Sequence, residues 1–145
     1  MNQDIPQYES LGYTGTGYLI VRVSTASGAL PLSGATVIVR GSETNFSAVI
    51  ARLSSGDDGL TQKIALLTPP RSFSESPTQN QKPYASYNVE VYLDGYLTLL
   101  AHNIPIFDGI TSIQPAEMIP VPQNGLPDSR PPYNQQTSES NAAEL

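Results

Sequence analysis

The chain has no cysteine and no tryptophan, a single histidine, and only seven lysines and arginines in 145 residues. Without cysteine there is no disulfide, no thiolate nucleophile and no cysteine-ligated zinc. The basic residues nowhere cluster, and thirteen Asp and Glu give a net charge of −6. That balance lacks the footprint that a phosphate backbone requires, so no nucleic-acid partner is expected. The longest apolar run, "YLIV" at 18–21, falls far short of the roughly 20 residues of a membrane helix, and no membrane partner is expected. The first residues, "MNQDIPQYESLG", have neither the basic start nor the apolar stretch of a secretory signal, which makes a cytoplasmic location the default expectation. No heptad, internal repeat, amphipathic helical window or capping box stands out.

What the chain does have is turn-formers and alternation. Eleven Gly and thirteen Pro accompany a charged fraction of only 14%, a balance that suits an all-β protein. Residues 1–12 are polar and aperiodic, and residues 13–121 hold almost all the β-branched and aromatic content. From Pro122 the chain reads "PQNGLPDSRPPYNQQTSESNAAEL", which predicts a disordered Pro/Ser/Gln-rich tail over 122–145.

Within 13–121 the hydrophobic period is two, the mark of half-buried strands. In "YLIVRVS", Leu19, Val21 and Val23 share one face. In "ATVIVR", Ala35, Val37 and Val39 do, with Thr36, Ile38 and Arg40 opposite. "FSAVIARL" (46–53) and "LTQKIALL" (60–67) add two strands around "SSGDDG". "YNVEVYL" places Tyr87, Val89, Val91 and Leu93 inward and Tyr92 outward. "YLTLLA" (96–101) follows the Asp94-Gly95 turn, and "IPIF" and "ITSIQPAEMI" flank Asp108-Gly109 as an expected tight hairpin. Seven or eight short strands at this spacing predict an antiparallel Greek-key β-sandwich. Leu19, Val21, Val37, Val39, Ile50, Ile64, Val89 and Val91 are the expected core.

"PLSGATVIVRG" (31–41) reads as fold rather than chemistry: Pro31 and Gly34 make a turn that feeds a strand, and Gly41 releases it. The run resembles the "PLxGAxVxV" signature of carboxypeptidase-regulatory-like domains, a transthyretin-related β-sandwich. "GDDGL" and "YNVEVYLDGY" are similar to that family's turn and strand-turn elements, so the likeness spans roughly residues 15–120. A narrower likeness is to the amino-terminal domain of clostridial spore cortex-lytic enzymes. It rests on "GYLIVRVSTASGALPLSGATV", "TPPRSFSESP" and "NIPIFDGITSIQPAEMIPVP". It implies an accessory role on peptidoglycan or another glycan, and a spore association as the alternative to a cytoplasmic location. The 145 residues hold no hydrolase domain beside the sandwich. Transthyretin-related hydrolases use several His and Arg residues and a carboxy-terminal "YRGS", and this chain has neither set.

The residue inventory does not assemble a catalytic centre. His102 lacks the companions that a metal site or a nucleophile pair requires. Asp57 and Asp58, with Asp94 and Asp108 in other turns, are the calcium candidates, but Asp before Gly is first of all turn chemistry. No enzyme activity, metal or cofactor is therefore expected. The tyrosine excess, eight against three Phe, marks Tyr92 on the outward register as a sugar-facing candidate. "TPPRSFSESPTQNQKPYAS" (68–86) is unusually long for a connection and carries Arg71, Phe73 and Tyr84, two of them (Arg and Tyr) types enriched at interfaces. The expected function is a non-catalytic interaction or scaffold module that binds a protein partner or itself. The alternative is a glycan-binding accessory domain.

Overall fold

A computed structural model of the chain describes residues 13–42, 49–71, 83–122 and 133–135. Among these, every regular element is a strand: β1 (Gly15–Thr25), β2 (Leu30–Pro31), β3 (Thr36–Gly41), β4 (Val49–Ser54), β5 (Ile64–Thr68), β6 (Tyr84–Tyr92), β7 (Leu99–Phe107), β8 (Thr111–Glu117) and β9 (Tyr133–Gln135). Seven of them run five residues or more, and no helix long and apolar enough to cross a membrane occurs among the described residues. The expected all-β sandwich is the fold. One sheet has β1 at its centre with β2, β5 and β8; the other runs β4-β3-β6-β7-β9.

Alternation explains the interior. The odd residues of β1, Leu19, Val21 and Val23, are fully buried, while Arg22 between them is exposed. Val37 and Val39 of β3, Tyr87, Val89 and Val91 of β6, and Leu99, Ile104 and Ile106 of β7 face them from the other sheet. Each large apolar side chain closed off this way contributes roughly 1.5–3 kcal/mol. Tyr87 also donates its hydroxyl to the Leu67 carbonyl, a polar tie from one sheet to the other. Of the expected core, Ile50 and Ile64 are only half-buried at its margin. Ile38, on the outward register of β3, is nonetheless buried at 7% exposure. Its cross-strand neighbours are Arg52 and Glu90, whose long side chains can cover apolar surface.

The turn-and-strand run at 31–41 behaves as its residues dictate. Gly34 has φ +78°, and the buried Ser55 hydroxyl accepts from Ala35 N–H (3.0 Å) and donates to the Leu32 carbonyl (2.7 Å), fixing the entry to β3.

Four local expectations change. The end of "YLTLLA" and all of "IPIF" are one strand: β7 runs from Leu99 through both, with a bulge where Tyr87 pairs Ile104 but Val89 pairs Ala101. Asn103 sits there at φ 59°, its N–H held by Asn88 Oδ1 (2.9 Å). In "LTQKIALL" the strand starts at Ile64, because Thr61 instead bonds Val21 through both backbone and hydroxyl. Asp108-Gly109 is not a hairpin: β8 crosses to the other sheet and pairs β1 in parallel, Tyr18 to Thr111 through Ser24 to Glu117. Gly109 N–H donates to Thr16 O (2.7 Å) and Tyr18 N–H to Ile110 O (2.9 Å), so β1 captures the chain as it leaves the turn. Lastly, the 122–145 segment is not wholly without structure, since Tyr133–Gln135 pairs in parallel with β7.

Candidate functional site

One corner of the sandwich gathers two of the residues singled out from the sequence. β5 ends at Thr68 and the chain passes Pro69 and Pro70 to Arg71; it is described again from Pro83, where β6 begins at Tyr84. The expected 68–86 connection is therefore shorter, because Thr68 and Tyr84–Ser86 belong to strands. Tyr84 pairs across the sheet with Phe107, their ring centroids 5.4 Å apart and tilted by 54°. Arg71, Pro83, Phe107, Asp108 and Ile110 line a shallow cleft of about 230 Å³.

Asp108 organises this corner. Its Oδ1 accepts from Thr16 N–H (3.1 Å) and its Oδ2 from Arg71 N–H (2.8 Å). One carboxylate thus ties the start of β1, the exit of β5 and the β7–β8 turn together, with the strength of charge-assisted bonds to backbone amides. Such closeness needs missing side chains. A Cβ on Gly15 would lie 2.7 Å from Asp108 Cγ, one on Gly17 would strike the Phe107 carbonyl, and one on Gly109 would strike the Arg71 guanidinium. The guanidinium thus lies over Gly109, while Phe107 and Ile110 stay 37% and 50% exposed. The corner is a rigid floor with an apolar lip and a cation at its side.

Tyr92 stands elsewhere, eight residues along β6 from Tyr84, which is about 26 Å at strand rise. It is exposed, and its hydroxyl donates to Glu90 Oε1 (2.8 Å) while Arg40 Nε donates to Glu90 Oε2 (2.8 Å). The bond to Glu90 raises the phenol's pKa above its ordinary value, with desolvation and the carboxylate's charge adding in the same direction. Phe73 lies outside the described residues.

Asp57 and Asp58 are exposed on a turn closed by Gly59 N–H on Gly56 O (2.8 Å), with Asp58 Oδ1 accepting from Leu60 N–H (3.0 Å). Among the described residues no group of three or more His, Cys, Asp or Glu comes together. The pair has the geometry of turn chemistry. His102 is exposed in the β7 bulge.

Sequence reading did not single out Pro83, Phe107 and Ile110 as site residues, and it named Asp108 only as a turn aspartate beside the calcium candidates. The available signal was the pair of large apolar residues bracketing Asp108-Gly109, a wasteful choice for a turn facing water alone.

No family model matches the chain, and no curated protein matches it. Among solved structures it is similar to the minor pilin of Streptococcus agalactiae (16% identity, TM-score 0.51, 79% of this chain and 48% of that one). It is also similar to catechol 1,2-dioxygenase of Acinetobacter sp. ADP1 (12%, 0.51, 83% and 58%) and to 3-chlorocatechol 1,2-dioxygenase of Rhodococcus opacus 1CP (9%, 0.51, 74% and 61%). The chain spans about half to three-fifths of these proteins' lengths. At such identity the likeness carries the β-sandwich fold alone, shared by a pilin and by dioxygenases.

Proposed function

We propose that this chain is a non-catalytic β-sandwich module that binds a protein partner through the Arg71–Phe107–Ile110 corner. The observation that carries the reading is the juxtaposition of an exposed apolar lip with an arginine over a floor that Asp108 locks in place. An aromatic and an arginine beside a floor fixed by backbone hydrogen bonds suit a binding hot spot, because arginine and aromatic side chains carry much of the energy at such sites. The non-catalytic part rests on residue types. The one histidine is exposed in a bulge, and the described carboxylates are spread over separate turns and strands. The resemblance to carboxypeptidase-regulatory-like domains fits such a module and is part of the same proposal.

Glycan binding is the second reading, favoured by exposed Tyr92, although Glu90 already occupies its hydroxyl. Selection of displayed peptides against the wild-type chain and against Phe107→Ser/Ile110→Ser separates the two. Peptides that bind the wild type, shift the amides of Arg71, Phe107 and Ile110, and lose affinity at least tenfold on the variant support the corner. Muropeptides that instead shift Tyr92 and its neighbours move the assignment to the glycan. Peptides indifferent to the double substitution remove the corner from consideration.

A further inference from the structure

The edge of β8 is guarded over one half and open over the other. β8 pairs with β1, and Tyr18 N–H on Ile110 O with Met118 N–H on Ser24 O shows that its even residues do the bonding. By alternation the backbone groups of Thr111, Ile113, Pro115 and Glu117 face the opposite side, where no strand pairs with β8 among the described residues. Pro115 has no N–H, Gln114 Nε2 caps its carbonyl (3.0 Å), and exposed Glu117 adds charge. These are devices that turn incoming strands away. Thr111 and Ile113 carry none of them. Both side chains are exposed, Ile113 by 53%, and each residue presents one N–H and one C=O to the edge.

The open half begins where the corner cleft ends. Ile110, which lines the cleft, is the residue before Thr111. At about 230 Å³ the cleft is smaller than the roughly 300–1,000 Å³ of a small-molecule pocket, and it suits a side chain or two. Paired N–H and C=O groups at strand spacing match one kind of ligand, another extended backbone. Charge narrows the class further. In a chain of net charge −6, exposed Arg22 and Lys63 lie on the outward side of the sheet that holds β8, and Arg71 lies at the cleft. Lys63 sits 5.1 Å over the ring of Tyr18, which pairs with Thr111. The cleft's own carboxylate, Asp108, is taken up by two backbone amides.

We propose that the partner bound at the Arg71–Phe107–Ile110 corner is an extended peptide with an apolar residue beside an acidic one, which adds as a short strand to the Thr111–Ile113 edge of β8. The apolar side chain fills the cleft, the carboxylate meets Arg71, and the peptide backbone exchanges hydrogen bonds with Thr111 and Ile113. Pro115 and the Gln114 cap end the pairing, so the added strand stops at Ile113. This inference rests on the corner reading above and specifies its ligand.

The test uses the whole chain and linear peptides selected against it from a random displayed library. In the free protein the amides of Thr111 and Ile113 should exchange with solvent faster than those of Ser112 and Gln114, which β1 holds. Protection there without peptide means that the chain itself or a second copy already covers the edge, and it overturns the proposal. Selected peptides should carry Asp or Glu beside a large apolar residue, and a set without that pairing overturns the ligand class. Bound peptide should protect both amides. N-methylation at the peptide positions that face β8 should weaken binding about tenfold, as the loss of a hydrogen bond does, while the positions between tolerate it. Ile113→Pro removes an N–H that β1 does not use, so the fold is kept and affinity should again fall about tenfold. Ile113→Thr keeps the N–H and should lose less. If Ile113→Pro does not fold, the N-methyl scan on the wild-type chain decides alone. Peptides that weaken on Phe107→Ser/Ile110→Ser yet ignore Ile113→Pro and every N-methyl group sink strand addition and leave the corner standing. Peptides indifferent to all of these changes, or a library that yields no binder, remove both.

Discussion

The two ends of β6 use the same kinds of residue for different work. At Tyr84, an aspartate, an arginine and aromatic rings meet through backbone: Asp108 holds two main-chain amides, and three glycines make room. At Tyr92, a glutamate, an arginine and a tyrosine meet through side-chain tips on an exposed face. The first arrangement fixes where three chain segments run. The second fixes only where three side chains rest. A carboxylate that bonds backbone is structural in its consequences even at the surface, whereas one that bonds other side chains is nearly dispensable.

The largest expected effect tests the crowding at the first end. Gly17→Val drives a side chain into the Phe107 carbonyl, and because that partner is backbone it cannot step aside. Urea unfolding should show a loss of roughly 4 kcal/mol or more, or no folded protein. A midpoint within experimental scatter of wild type would mean that the β1–β7 approach is not what the geometry says.

Next comes the shared interior between the two ends. Val89→Ala or Val91→Ala should cost on the order of 2 kcal/mol through lost burial and the cavity left behind, measured by the same transition.

Asp108→Ala leaves two amides without their charged acceptor and should cost about 2 kcal/mol. Hydrogen exchange should quicken at Thr16 and Arg71 while the amides of Val89 and Val91 keep their protection. Uniform loss of protection would contradict a local tie.

At the Tyr92 end, Glu90→Gln should cost at most about 1 kcal/mol, and less at high salt, because the ion pair is partly exposed. An effect as large as that of Asp108→Ala would erase the distinction between the two ends.

The smallest effect is an alkaline one. The folded-state pKa of Tyr92 is raised, so its contribution is fully present below the unfolded value near 10 and is lost as pH rises through the folded value. The phenolate absorbance lost in Tyr92→Phe should titrate above that value, and the substitution should remove the corresponding alkaline loss of stability. A Tyr92 that ionises below pH 10 would contradict the bond to Glu90.

The sequence by itself determined what local physics determines. Period-two alternation marked Leu19, Val21, Val37, Val39, Val89 and Val91 as interior, since a pleated strand must send alternate side chains to opposite faces. Gly34 and the Asp-Gly dipeptides marked the turns, because positive φ is cheap at glycine. Arg71 and Tyr84 stood out as interface types, and the structure does bring them to one corner. Tertiary structure alone decided the rest. Whether the strands beside Asp108-Gly109 pair with each other or part between sheets depends on β1, some ninety residues earlier, which captures Ile110 by backbone bonds that no local pattern encodes. The role of Asp108 depends on two amides from distant segments, and the burial of Ile38 on side chains from neighbouring strands. The pairing of Tyr133–Gln135 depends on an edge left open at β7, in a segment whose composition alone reads as disorder. Alternation says which way a side chain points; only the assembled sheets decide what it meets there.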